Sequence, residues 1–264
     1  MANSKDLEIL KKTNRLDGGD LSGANLTDLD LSRSIIKNTN MENVIFSDSK
    51  NEPSSSFLMN CTWENVNLTN VNISIFKLWH CTWDKINFTN SIFSNSIMSS
   101  TDINNSNLNS ADMSYTKFNR VNFRECNLEQ GNFSHTRFDQ TDTDDEDISG
   151  DDYFYTFQEC KMKSINFHFA KLASNFDQLD LQNANFSEAY LNTKSFFASN
   201  LTNCNFNKAN CPGVNFSDAN LTNVDLQNTN CERSDFRNAN LKNANLRKAN
   251  FNSCDFKEAD FKNA

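Results

Sequence analysis

The sequence predicts an all-β protein, a four-sided β-helix of roughly eleven coils behind a short N-terminal capping helix. Three observations predict it. An apolar residue recurs at every fifth position along most of the 264 residues, the residue two places before it is usually small, and one segment repeats itself at a distance of twenty.

The five-residue period comes first, because a missed repeat miscalls the whole fold. From Leu58 to Phe138 every fifth residue is apolar without a miss: Trp63, Leu68, Ile73, Leu78, Trp83 and onward. A second run goes from Phe176 to Phe261, in which only Cys211 and Cys231 are not Leu or Phe. Shorter runs span Leu16 to Phe46 and Phe157 to Leu172. Together they give 46 repeats, and 18 of the 23 Phe occupy the central position. A helix needs an apolar stripe near 3.6 residues and a strand needs alternation at two, so a strict five fits neither.

Two places before the centre stand Ala24, Ala111, Ala184, Ala219, Ala239, Ala244, Ala249 and Ala259. Two positions in five therefore face inward. Four such units close a coil of twenty residues, and twenty appears independently: the segment from Asn60 reads N-C-T-W, and that from His80 reads H-C-T-W. Trp63 is expected on Trp83 and Cys61 on Cys81. With layers about 4.7 to 4.9 Å apart, the rod is about 50 to 55 Å long.

The stretches A-N-L-T-N around Leu221, A-N-L-K-N around Leu241 and A-N-L-R-K around Leu246 resemble the pentapeptide-repeat family, whose pattern is A-[D/N]-L-x-x. The resemblance implies a right-handed quadrilateral β-helix. It implies no single function, since one scaffold serves many roles. Some rods of that family imitate duplex DNA, occupy the DNA-binding saddle of DNA gyrase or topoisomerase IV, and protect those enzymes from quinolones or peptide toxins.

The net charge of −9 is unevenly placed: the segment 139–156 holds eight acids and no base, and the rest of the chain is almost neutral. Such a balance argues against a basic nucleic-acid-binding surface. It also sits poorly with DNA mimicry, which needs an acidic face to match about one charge per 1.7 Å of duplex. Before the 46 centres Asn occurs 21 times and Asp only 9.

The register breaks three times. Between Phe46 and Leu58 the spacing is twelve, two more than two repeats, and Pro53 with its serines reads as a surface loop. Between Leu172 and Phe176 it is four, read as a local kink. The third break, D-Q-T-D-T-D-D-E-D-I-S-G-D-D-Y-F-Y-T, is a solvated acidic loop. It reads as a passive insertion whose aromatics tuck back, as an acidic hook for a basic partner, or as a calcium loop built on Asp142, Asp144 and Asp147. The last lacks the Gly expected at the sixth position and the flanking helices of an EF-hand. Residues 1–13 form the cap and 14–264 one β-helix, interrupted by loops at 47–57 and 139–156. Leu7, Ile9 and Leu10 give the cap an apolar side.

Catalytic chemistry has no motif. His80, His135 and His168 fall one or two places after a centre and many coils apart. The Cys read as small hydrophobes, five of them (Cys61, Cys81, Cys126, Cys204, Cys254) at the small inward position. There is no C-x-x-C pair and no phosphate-cradling glycine loop. No enzyme, cofactor or metal is expected. No apolar run of about 18 residues and no signal segment is present, so a cytoplasmic location without membrane contact is expected.

The expected function is a non-enzymatic interaction rod that binds a protein partner through its faces and its acidic loop, with no direct nucleic-acid binding. The partner-binding candidates are Asp142, Asp144, Asp145, Glu146, Asp147, Asp151, Asp152, Tyr153, Phe154 and Tyr155, because aromatics concentrate interface energy. The alternative is a DNA-mimicking modulator of gyrase or topoisomerase IV, with a type II topoisomerase as the partner. The last repeat, D-F-K-N-A, ends in full register, so a homodimer through that end is expected.

Overall fold

The computed structural model describes residues 2–27, 29–46, 57–139 and 156–264. All strand pairings within them are parallel. The five-residue unit folds the same way each time. The centre and the residue two before it point inward, the next two residues turn, and the second of these has a left-handed backbone, as at Asn70 (φ 58°) and Asn223 (φ 58°). Each turn makes a corner, and four corners return the chain to its starting face. Hydrogen bonds then join layers at a separation near twenty: Leu221 N–H donates to Asn240 O at 2.8 Å, and Asn240 N–H donates to Ala219 O at 3.0 Å.

The interior is a set of side-chain columns. On the first face Leu16 pairs with Ile36, Ile36 with Trp63, Trp63 with Trp83, Trp83 with Ile103 and Ile103 with Phe123. Phe157, Phe176, Phe196, Phe216, Phe236 and Phe256 continue it. These twelve layers are separated by eleven turns of the chain. Stacked rings lie near-parallel, with Trp63 and Trp83 at 5.7 Å and 22° and Phe186 and Phe206 at 4.8 Å and 13°. Offset stacking of this kind adds about 0.5–1.5 kcal/mol per pair beyond the area buried.

The smaller inward residue fills the corner and satisfies backbone acceptors. Ser91 Oγ donates to Leu68 O at 2.7 Å, Thr116 Oγ1 to Phe93 O at 2.9 Å, and Cys126 Sγ to Ile103 O at 3.2 Å. Trp63 Nε1 donates to Ser34 Oγ at 2.8 Å. One layer on, Cys61 takes the place of Ser34, and Trp83 Nε1 has no partner among the described residues.

The interruptions differ in one respect from the sequence expectation. Asn40 and Asn67 pair 27 residues apart instead of 20, so the first break is one side of the coil plus seven residues, not two repeats plus two. It leaves the rod at the corner between the third and fourth faces. Asn132 and Asn166 pair 34 apart, an insertion of fourteen at the corner between the fourth and first faces. The one-residue deletion lies at that same corner one layer later, where Asn166 and Asn185 pair 19 apart. There Ser174 Oγ accepts from Thr156 N–H at 3.3 Å. Phe157 and Phe176 still stack at 5.6 Å, so the missing residue is absorbed without interrupting the column.

A helix, Ser4–Thr13, covers the first layer. Asn3 caps it by accepting from Lys5 N–H at 3.0 Å, and left-handed Asn14 ends it by donating to Leu10 O at 2.8 Å. Leu10 is buried against the first coil. Asn3 N–H donates to Asp20 O at 2.7 Å and Asp6 accepts from Asp20 N–H at 3.0 Å, so the cap pairs an edge that would otherwise recruit another strand.

This register makes Phe123→Ala and Asn122→Ala unequal. Phe123 is fully buried between Phe118 and Phe157, and its truncation should cost about 3–5 kcal/mol. Asn122 loses one exposed hydrogen bond to Asp102, about 0.5–1.5 kcal/mol. Urea midpoints measure the difference, and equal midpoints would contradict the register.

Candidate interaction surfaces

The outward residues also form columns, one face at a time. On the second face the residues before the centres are mostly Asn. Asn67 donates to Asn40 at 2.9 Å and Asn87 to Asn67 at 3.3 Å. At its corner Asn203 donates to Asn183, Asn223 to Asn203 and Asn243 to Asn223, at 3.0, 2.9 and 3.1 Å. An amide has both donor and acceptor, so identical amides stack without repulsion where identical charges would not.

Among the described residues the first face carries more acids than any other face, and most of its bases pair with them. Lys37 lies 2.7 Å from Glu64, Lys85 3.5 Å from Asp84, and Arg237 2.6 Å from Asp235. The Arg237 guanidinium holds the Asp235 carboxyl below its usual range. These pairs are exposed and contribute at most about 1 kcal/mol each, so their main effect is to break up an acidic strip. The fourth face is the opposite: Lys77, Lys117, Arg137 and Lys171 precede its centres in successive or alternate layers. The near-neutral repeats therefore conceal a segregation of charge by face.

Asp142, Asp144, Asp145, Glu146, Asp147, Asp151, Asp152, Tyr153, Phe154 and Tyr155 all lie outside the described residues. His135 and His168 correct the sequence reading: the fourteen-residue insertion places them in adjacent layers, with ring centroids 5.9 Å apart. His168 Nδ1 lies 2.8 Å from Ser187 Oγ. Among the described residues no group of His, Cys, Asp and Glu has metal-holding geometry. All eight Cys are free thiols, and only Cys254 is not fully buried. Burial pushes the Cys204 thiol up to about 12. In the stacked pairs Cys61–Cys81 and Cys126–Cys160, the hydrogen bond from the neighbouring sulfur and burial raise Cys81 and Cys160. Buried, protonated thiols of this kind are poor nucleophiles. A cleft of about 460 Å³ opens between Leu29, Phe46, Phe57 and Phe76, and Asp30 is the one titratable residue lining it among the described residues.

Sequence reasoning missed Lys194. It stands two before Phe196, at a small inward position whose column neighbours are Ser174 and Val214. Among the described residues it is the one charged side chain in such a place, and that substitution in the pattern was the available signal.

A four-sided parallel β-helix with hydrogen-bonded outward columns defines a solenoid scaffold. The sequence profile of the pentapeptide repeats matches eight copies, over residues 15–48, 77–109, 106–142, 199–230 and 229–264. The matches span more than half of the chain, which belongs to the pentapeptide-repeat family. No curated protein sequence matches it. Among solved structures it is similar to HetL, a pentapeptide repeat protein involved in heterocyst differentiation regulation from the cyanobacterium Nostoc sp. strain PCC 7120. That alignment has 15% identity and a TM-score of 0.46, covering 98% of this chain and 94% of that one. A trypsin-treated variant of QnrB1, a plasmid-mediated fluoroquinolone resistance protein, aligns at 14% identity and a TM-score of 0.42, covering 77% and 85%. A pentapeptide repeat protein from the Arabidopsis thaliana thylakoid lumen aligns at 20% identity and 0.19, covering 38% and 59%.

Lys194 gives a pH-dependent expectation. Burial lowers its amine below the usual 10.5, so the unfolded chain binds the proton more tightly than the folded one. Its cost is present below the folded value and relieved as pH rises toward 10.5. Lys194→Met should raise the melting temperature by about 1–3 °C near neutral pH. The gap should close in alkaline buffer, as followed by circular dichroism; a gap independent of pH would contradict this account.

Proposed function

We propose that the chain is a non-enzymatic interaction rod that presents flat faces, together with the acidic segment 142–155, to a protein partner. The observation that carries this reading is the pairing of the first face's charges: Lys37–Glu64, Lys85–Asp84, Arg124–Glu125 and Arg237–Asp235 interrupt what a DNA mimic would keep continuous and acidic. The buried thiols and the outward, hydrogen-bonded polar residues support the same reading, since neither assembles a nucleophile with a base and an orienting group. Among the described residues no helix is long and apolar enough to cross a membrane. The cytoplasm is part of the proposal.

Self-association through the last layers belongs to it too. Phe251 and Phe256 are partly exposed there and Phe261 is 39% exposed. Light scattering at high micromolar concentration should give the mass of a dimer.

The test of the main reading is photo-crosslinking. A photoreactive residue placed at an exposed corner such as Asn90 should trap a protein in the producing cell. A rod that crosslinks to nothing from any face overturns the proposal. The topoisomerase alternative has its own readout. The intact protein should leave gyrase supercoiling and quinolone-stabilised cleavage unchanged across micromolar concentrations. An effect that disappears when 142–155 is deleted would replace the general reading with the topoisomerase one.

A further inference from the structure

The corner between the third and fourth faces carries Ile75, Tyr115, His135 and Phe169 at its left-handed position, with φ of 65°, 57°, 57° and 56°. Side chains other than Asn and Gly adopt this conformation at a cost of about 1 kcal/mol or more each. Burial does not offset it, because Tyr115 is 55% exposed and Phe169 41%. The rings form a ladder: Tyr115 and His135 stack at 4.4 Å and 4°, His135 and Phe169 at 5.1 Å and 19°.

Two residues further along each side runs the basic column. Lys117 pairs in register with Arg137, and Arg137 with Lys171. Like charges on adjacent strands are destabilising. Among the described residues Lys117 and Lys171 have no carboxylate within ion-pair reach, and both are exposed. A strained aromatic column and a basic column, in which Lys117 and Lys171 lack a described counter-charge, thus lie along the same stretch of the rod. From Lys77 to Lys171 the strip crosses four layer steps, about 19 Å, the span of roughly six extended residues.

We propose that this strip docks an acidic segment of a protein partner, its carboxylates meeting Lys117 and Lys171 and its apolar side chains lying against Tyr115, His135 and Phe169. The proposal rests on the interaction-rod reading and adds the surface and the chemistry of the partner. Charge complementarity selects an anion, and exposed aromatics beside Arg are the usual anchors of protein interfaces. Single-stranded nucleic acid fits less well. It binds by stacking bases on free ring faces, and here the faces of His135 are occupied by Tyr115 and Phe169.

The experiment is fluorescence anisotropy of the full chain with a fluorescein-labelled peptide of Glu residues interspersed with Phe and Trp. At low salt the peptide should bind saturably in the micromolar range, as rim-charge contacts allow, and weaken as salt rises. Lys117→Glu with Lys171→Glu should weaken it at least about tenfold. Tyr115→Asn with Phe169→Asn should weaken it several-fold at unchanged charge and unchanged or higher melting temperature, because Asn tolerates the left-handed backbone. Lys161→Glu with Lys163→Glu, the same charge change on the second face, should leave it within about twofold. Equal loss in that control, no saturation below about 1 mM, or tighter binding of a twelve-residue oligothymidylate would overturn the assignment. If the peptide fails while photo-crosslinking still traps a protein from another face, the rod reading stands and only this strip falls.

Discussion

The left-handed residue that closes each side is the constraint on which the rod depends. Without a positive φ two places after each centre, the chain would run on as an extended strand and the four sides could not close. Asn fills this position more than any other residue, as at Asn90, Asn203 and Asn243, because its short amide tolerates the conformation and can bond locally. The corner then turns Asn into a second asset. Stacked every twenty residues, the amides donate to one another along the rod, so the residue chosen for backbone reasons also sews the outer surface.

The same constraint explains where the rod tolerates change. Insertions of seven and fourteen residues and a deletion of one all fall at corners, never within a side. A side has two inward residues that must meet their columns, and an offset of one would turn an inward Phe outward. A corner meets nothing inside. Phe123 therefore stacks on Phe157 across the longer insertion at 5.5 Å and 14°, much as Phe196 stacks on Phe216 with none.

Much of this was legible in the sequence for the same physical reason. Twenty residues per layer and an unbroken period of five fix which residues share a column, so the stacking of Trp63 on Trp83 follows from counting. What counting could not give was the register across the breaks, because seven and fourteen are not multiples of five. The spacing of twelve after Phe46 therefore read as two repeats plus two, and His135 and His168 read as distant. The basic column was hidden for a different reason. Lys117, Arg137 and Lys171 average to neutrality with the acids of other faces when charge is summed along the chain. Only sorting by face, which needs the register, separates them.

Columns make the surface of such a rod an unusual problem in stability. In a globular domain a misplaced charge has neighbours of every kind, but here its neighbours above and below are the same position of adjacent coils. A column of amides reinforces itself, a column of alternating charges neutralises itself, and a column of like charges or strained aromatics works against the fold. The second face is mainly of the first kind and the first face mainly of the second. The column of Tyr115, His135 and Phe169 is of the third, and the core of stacked Phe beneath it supplies the stability that lets such a strip persist. A scaffold that stores its stability along an axis is free to place unfavourable columns outside, and those columns are where its surface has most to gain from a partner.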